Sequence, residues 1–178
     1  MTRSRLRRFA AALIVAAGVV VVDQGSKALA VSELGQYGRT PLLGDVLGLR
    51  LAFNPGAIFS FGSSATGLIT LIGIAATAFL FVAAARTRNR GSAIGFGFIL
   101  GGAVGNLIDR LFAPPAFGRG HVTDFLAYGD LFIGNLADVA LGVGAVLLVV
   151  AGLRRSGRRT TQPDLTMNGY PSVEETVS

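Results

Sequence analysis

The chain contains no cysteine, which excludes disulfides, thiolate nucleophiles and zinc sites built on Cys. It has no tryptophan and one histidine, His121, so neither an H-E-x-x-H helix nor a clustered His site can be assembled, and no metal or other cofactor is expected. Charge is also scarce. Charged residues make up 15% of the 178 residues against 51% hydrophobic, and the mean hydropathy is +0.59. That balance is too apolar for an ordinary soluble domain and indicates a membrane protein. No internal repeat or second domain is visible.

Eleven of the sixteen basic residues fall in three clusters: Arg3, Arg5, Arg7 and Arg8; Arg86, Arg88 and Arg90; Arg154, Arg155, Arg158 and Arg159. No acid interrupts any of them. The net charge of +6 therefore marks membrane topology better than it marks a nucleic-acid surface, and no nucleic-acid partner is expected.

Between the clusters lie four apolar runs, at about 9–31, 66–85, 92–111 and 131–153, each long enough to span a bilayer. Leu34 to Ser64 differs: Gly and Pro punctuate it, and Leu47-Gly-Leu-Arg-Leu-Ala-Phe53 alternates like a short strand. Ala113 to Asp130, with Pro114-Pro115, reads as a loop. The expected fold is an all-α membrane protein with four transmembrane helices and a small extracytoplasmic β-containing segment. A membrane domain over 1–155 would precede a disordered cytoplasmic tail over 156–178.

The first run raises its own question. A basic start, an apolar stretch and Ala28-Leu-Ala30 follow the grammar of a cleavable signal peptide. With all three Arg clusters inside, however, four spans give a consistent topology with both termini cytoplasmic, and cleavage would break it. An uncleaved first helix is the better reading.

Helix rise places the polar residues in depth. Asp23 lies 15 residues beyond Arg8, Asp109 lies 19 beyond Arg90, and Asp138 lies 16 before Arg154. At roughly 1.5 Å per residue these are about 22 to 29 Å from the cytoplasmic ends, in a hydrocarbon core about 30 Å thick. Three acids on three helices thus converge near the outer interface. Asp23 and Lys27 are i,i+4, Asn106 and Asp109 i,i+3, and Asn135 and Asp138 i,i+3, so each helix presents a small polar cluster. Pairing alone accounts for Asp23 with Lys27 and for Asp109 with Arg110. Asp138 has only Asn135 nearby, and the nearest unassigned acid is Asp124 in His121-Val-Thr-Asp-Phe125.

Two carboxylates brought together can hold pKa values apart, leaving one ionised to deprotonate water and one protonated to activate a carbonyl. The spacing permits such a pair. Other chemistries fit less well. Ser26 and Lys27 are adjacent and point in different helical directions, and nothing marks Ser60 as a nucleophile for a triad with His121 and Asp124. Gly101-Gly-Ala-Val-Gly105 lies inside an apolar run without a following Lys-Ser/Thr, so it suits close helix packing. A small transporter or ion-binding bundle and a noncatalytic membrane assembly factor are the rival readings, the first without the broken helices or inverted repeat that would support it.

The motifs Asp23-Gln-Gly-Ser-Lys27, Phe53-Asn-Pro-Gly-Ala-Ile-Phe59, Gly102-Ala-Val-Gly-Asn-Leu-Ile-Asp-Arg110, Val122-Thr-Asp-Phe125 and Asn135-Leu-Ala-Asp138 together resemble the bacterial lipoprotein signal peptidase family, signal peptidase II. The resemblance implies an intramembrane aspartyl protease with Asp124 and Asp138 as catalytic residues. It implies supporting or substrate-binding roles for Asp23, Lys27, Asn54, Gly56, Asn106, Asp109, Arg110 and Asn135. The implied substrates are diacylglyceryl-modified prolipoproteins, cut before the lipid-bearing cysteine by a monomer in the bacterial cell membrane, among membrane lipids. Its active site would lie near the extracytoplasmic interface. One departure is Gly134, where many family members carry a bulky residue, often phenylalanine; we read it as a packing variation.

Overall fold

The computed structural model describes residues 2–35, 38–56 and 65–160. Its elements run α1 (Arg3–Glu33), β1 (Thr40–Leu43), β2 (Leu47–Asn54), α2 (Thr66–Arg86), α3 (Arg90–Phe112), β3 (Val122–Tyr128), β4 (Phe132–Gly134) and α4 (Leu136–Thr160). All four helices are long and apolar enough to cross a membrane, α4 over Leu136–Arg154. This is an all-α membrane fold with a small sheet at one end.

Glycine decides how the helices meet. A Cβ on Gly97 would lie 2.7 Å from the Ala12 carbonyl oxygen of α1, and one on Gly101 2.6 Å from the Val19 Cβ. Gly105 would put its Cβ 2.5 Å from an Asp23 carboxylate oxygen. These three positions, four apart, form one smooth face of α3 that admits the α1 backbone at Gly97 and Gly101 and the Asp23 side chain at Gly105. Gly95 and Gly102 face α4, where a Cβ on Gly102 would sit 2.5 Å from the Ala137 carbonyl oxygen, and Gly144 of α4 approaches the Gly95 carbonyl in return. α3 is accordingly the most enclosed of the four spans. Large apolar side chains such as Ile14, Val21, Leu71, Phe79 and Val146 point outward and stay exposed, as a lipid-facing surface requires.

The sheet has the order β1-β2-β3-β4, antiparallel throughout. The strand expected at Leu47 to Phe53 is β2. The region read as a loop up to Asp130 instead contributes β3, whose Asp124 lies opposite Ala52 of β2. Phe132–Gly134, expected to begin the fourth span, forms β4 against β3, so α4 starts at Leu136 and not at 131. The turn between them uses Gly129 at a φ of 55°, a left-handed conformation that glycine adopts without strain. Ala30 at the end of α1 packs beneath the sheet against Leu51 and Phe125. At its other end α4 continues to Thr160, past the boundary expected at 155, since Ser156-Gly-Arg-Arg-Thr160 contains no proline to stop it. The remainder of the expected tail, 161–178, lies outside the described residues.

Candidate active site

The start of α4 is built by its own side chains. The Asn135 side-chain oxygen accepts from the Asp138 backbone N–H at 3.0 Å, and the Asp138 carboxylate accepts from the Asn135 N–H at 3.2 Å. This reciprocal capping box satisfies two backbone donors that a helix start leaves open. A third is met from another helix: the Ala137 N–H donates to Asp23 at 2.9 Å. Placing carboxylates at a helix N-terminus is also favourable for the helix dipole.

From this cap a ring of amides extends to both remaining carboxylate oxygens. Asn135 donates to Asp124 at 2.6 Å and to the Asn106 side-chain oxygen at 3.1 Å; Asn106 in turn donates to the other oxygen of Asp138 at 3.0 Å. Asn54, at the end of β2, donates to the second Asp124 oxygen at 3.1 Å, while its own oxygen accepts from the Gly56 N–H at 3.0 Å. Asp124 is 3% exposed, whereas Asp138 is open to a cavity of about 280 Å³ that both carboxylates line. Ile69, Ala76, Leu107 and Leu141 give that cavity an apolar side between α2, α3 and α4.

Burial pushes the Asp124 carboxyl up from 3.8 to about 6. The neighbouring charge of Asp138 adds to the push, while the amides of Asn54 and Asn135 and the Lys27 ammonium oppose it. A carboxyl at that value holds or releases a proton within the range where a general acid or base works.

Lys27 occupies a different part of the layer. Its ammonium lies 2.8 Å from Asp23 and 2.9 Å from Asp109, and it donates to Asn106 at 3.0 Å. The local pairing of Asp23 with Lys27 is present, but Asp109 pairs with Lys27 and not with Arg110. Arg110, next to Asp109 in sequence, projects elsewhere: its guanidinium donates to the carbonyls of Asn54, Pro55, Gly56 and Gly120. It thereby ties the end of β2 to the loop before β3. Asp109 secures β3 itself by accepting from the Thr123 N–H at 3.0 Å.

The structure thus brings Asp23, Lys27, Asn54, Gly56, Asn106, Asp109, Arg110, Asp124, Asn135 and Asp138 into one connected polar layer. Gln24 belongs to it too, donating to Asp23, Asp109 and the Gly105 carbonyl. Its amide, one residue from Asp23 in a span with few polar groups, was the available signal. His121 faces a separate cavity with Arg119 and Pro115, and Ser60 lies outside the described residues. A Cβ at Gly134 would come 3.0 Å from an Asp138 carboxylate oxygen, so the residue at this position bears on that carboxylate as well as on packing. Among the described residues no three His, Cys, Asp or Glu side chains are grouped so as to hold a metal ion.

A family model described as signal peptidase (SPase) II matches residues 15–154. The chain belongs to the signal peptidase II family. A lipoprotein signal peptidase from Leifsonia xyli subsp. xyli (strain CTCB07) is 45% identical over 150 residues, covering 82% of this chain and 69% of that protein. Its counterpart from Mycobacterium avium (strain 104) is 41% identical over 147 residues, covering 83% and 81% respectively. Among solved structures, a bacterial membrane enzyme determined by the in meso method at 2.3 Å resolution superposes with a TM-score of 0.69 at 24% identity, covering 85% of this chain and 93% of that one, and shares the fold. A second, at 1.9 Å resolution, gives 0.62 at 25% identity, covering 80% and 92%. Membership in the signal peptidase II family makes the chain a multi-pass membrane hydrolase with a peptidase role.

Proposed function

We propose that the chain is an aspartyl endopeptidase that removes the signal peptide from diacylglyceryl-modified prolipoproteins, cutting before the lipid-modified cysteine. The observation that carries this reading is that Asp124 and Asp138 line one cavity, joined through Asn106 and Asn135, with no cation bound directly to either among the described residues. Such a pair shares one proton more readily than two buried carboxylates already neutralised by a lysine.

In the proposed reaction the ionised carboxylate takes a proton from water as the water oxygen attacks the scissile carbonyl. The protonated partner gives its proton to the carbonyl oxygen, forming a neutral tetrahedral diol. Collapse of the diol breaks the C–N bond, with a proton passing to the departing amine of the cysteine. Asn54, Asn106 and Asn135 hold the two carboxylates in place through neutral hydrogen bonds. The apolar side of the cavity opens between membrane spans, which suits lateral entry of a signal helix and acyl chains.

The same reading has both termini cytoplasmic, the aspartates near the extracytoplasmic interface, a monomeric enzyme over 1–155 and a cytoplasmic tail over 156–178, into which α4 continues as far as Thr160. Part of the segment from Leu34 to Ser64, which we assign as a cover for the cleft, lies outside the described residues, at 36–37 and 57–64.

Purified protein in detergent micelles, incubated with a diacylglyceryl-modified prolipoprotein, should release a mature product beginning at the lipidated cysteine, read by mass spectrometry. Cleavage at another bond, or cleavage surviving in Asp124→Asn or Asp138→Asn, rejects the proposal. Cysteine-accessibility labelling should place Arg88 and Ser156 on one side of the membrane and Gly44 and Phe117 on the other.

A further inference from the structure

At the end of the bundle opposite the aspartates, α1 and α3 begin side by side. Arg3, Arg7 and Arg8 of α1 and Arg90 of α3 line a cavity of about 620 Å³ whose remaining walls include Ala11, Ala93 and Ile94. Arg3 and Arg7 stand i,i+4 on one helix, a repulsive spacing for like charges. Neither α1 nor α3 has an acidic residue in its first turn, where cations face the positive end of the helix dipole. None of the four guanidinium groups forms an ion pair among the described residues. The Nε of Arg8 is buried without a hydrogen-bond partner.

Arg5 makes a useful contrast. Its Nε donates to the Ala85 carbonyl at 3.0 Å and so closes the C-terminal end of α2. Topology alone would be served by exposed arginines on any face, and Arg3, Arg7 and Arg90 are exposed just as Arg86 and Arg88 are. It does not require guanidinium groups from two helices to converge on one concavity, and an anion in that concavity would account for the convergence.

We propose that this cavity binds the phosphate of an anionic phospholipid. Guanidinium groups recognise phosphate through paired N–H donors. The adjoining apolar residues Ala11 and Ile94 receive the first segment of an acyl chain. A lipid fills both parts of the cavity, whereas a free anion fills only the first. The site lies a membrane's depth from the aspartates and does not depend on the proposed reaction.

The test uses the full chain in neutral detergent micelles, with phosphatidylglycerol, phosphatidylcholine, diacylglycerol and inorganic phosphate as separate probes. Native mass spectrometry should show phosphatidylglycerol retained about tenfold over phosphatidylcholine, with diacylglycerol weaker still. Arg3→Gln/Arg7→Gln/Arg90→Gln should abolish that preference, and the charge-matched Arg86→Gln/Arg88→Gln/Arg154→Gln should keep it. In the wild-type protein, phosphatidylglycerol carrying a photoreactive group near the glycerol should label peptides containing Ala11 or Ala93–Ile94, a readout independent of how any variant folds. Equal retention of the two phospholipids, equal loss in both triple variants, or labelling elsewhere overturns the proposal. Displacement of phosphatidylglycerol by inorganic phosphate at similar concentrations would show a simple anion site and overturn it equally.

Discussion

Asp23 and Asp109 lie in the same polar layer as Asp124 and Asp138, yet the two pairs are held by different chemistry. The first pair brackets the Lys27 ammonium at 2.8 and 2.9 Å and shares the Gln24 amide. The second pair takes its hydrogen bonds from the Asn54, Asn106 and Asn135 amides and from the Asn135 backbone N–H, all of them neutral. A lysine meets a carboxylate with an opposite charge. Amides orient a carboxylate without settling its charge nearly so firmly, which leaves it able to exchange protons. Four aspartates of one polar layer are thereby divided into a couple held by a lysine and a couple held by amides, and the proposed reaction uses the second.

The broadest way to break this division is to replace each aspartate by asparagine in turn. At Asp124 or Asp138 we expect turnover to fall by about 10³-fold or more, with the folded protein still recovered. At Asp23 or Asp109 the loss should appear in thermal stability, with turnover per folded molecule largely kept; initial cleavage rates and melting curves on the same preparations separate the cases. Next in size is Lys27→Met, which leaves two buried carboxylates without their cation and should cost about 3–5 kcal/mol of stability. Adding Asp23→Asn to that variant should recover part of the loss in chemical denaturation, because the two sites are coupled.

The third effect follows pH. Since Asp124 titrates at about 6 in the folded protein against an ordinary 3.8, the unfolded chain gives up this proton first as pH rises. Its contribution to stability is therefore full below about pH 3.8 and declines until about pH 6, by about 3 kcal/mol in all. Melting curves of wild type and Asp124→Asn across this window should converge or cross accordingly, and a constant difference would contradict the assignment. The smallest effect is expected for Asn54→Ala. Loss of an amide that favours the ionised Asp124 should lower turnover about tenfold and move the limb of the pH–rate profile that Asp124 governs to higher pH.

Much of this layer was legible in the sequence because helix rise and i,i+4 spacing are local quantities. Depth counted from the Arg clusters brought Asp23, Asp109 and Asp138 to one level, and the Asp23–Lys27 pair is where spacing puts it. Arg110 was harder to place for the same reason: adjacency suggested a partner in Asp109, while the guanidinium reaches carbonyls at the end of β2 and in the loop before β3 that no spacing rule brings near. The apolar run at Leu131 was equally ambiguous. A short hydrophobic stretch fits a strand or a helix start alike, and only its pairing with β3 makes Phe132–Gly134 a strand. Asp124 could be nominated from the sequence as the missing partner of Asp138, but its position on a strand, clamped between Asn54 and Asn135, depends on contacts distant along the chain.

The glycine faces of α3 divide mutational freedom into strips. Where Gly97 and Gly101 meet α1, and Gly102 meets α4, an added methyl runs into a backbone carbonyl oxygen that no rotamer change can move, and at Gly105 it meets the Asp23 carboxylate. The opposite strips, carrying Ile14, Val21 and Val146, face outward and set no internal distance. Drift in length, bulk or hydrophobicity on those strips can tune the protein to a thicker or thinner bilayer while the spacing between the aspartates stays fixed. A scan of single substitutions across the spans should show this as intolerant and permissive stripes, alternating with the helical repeat.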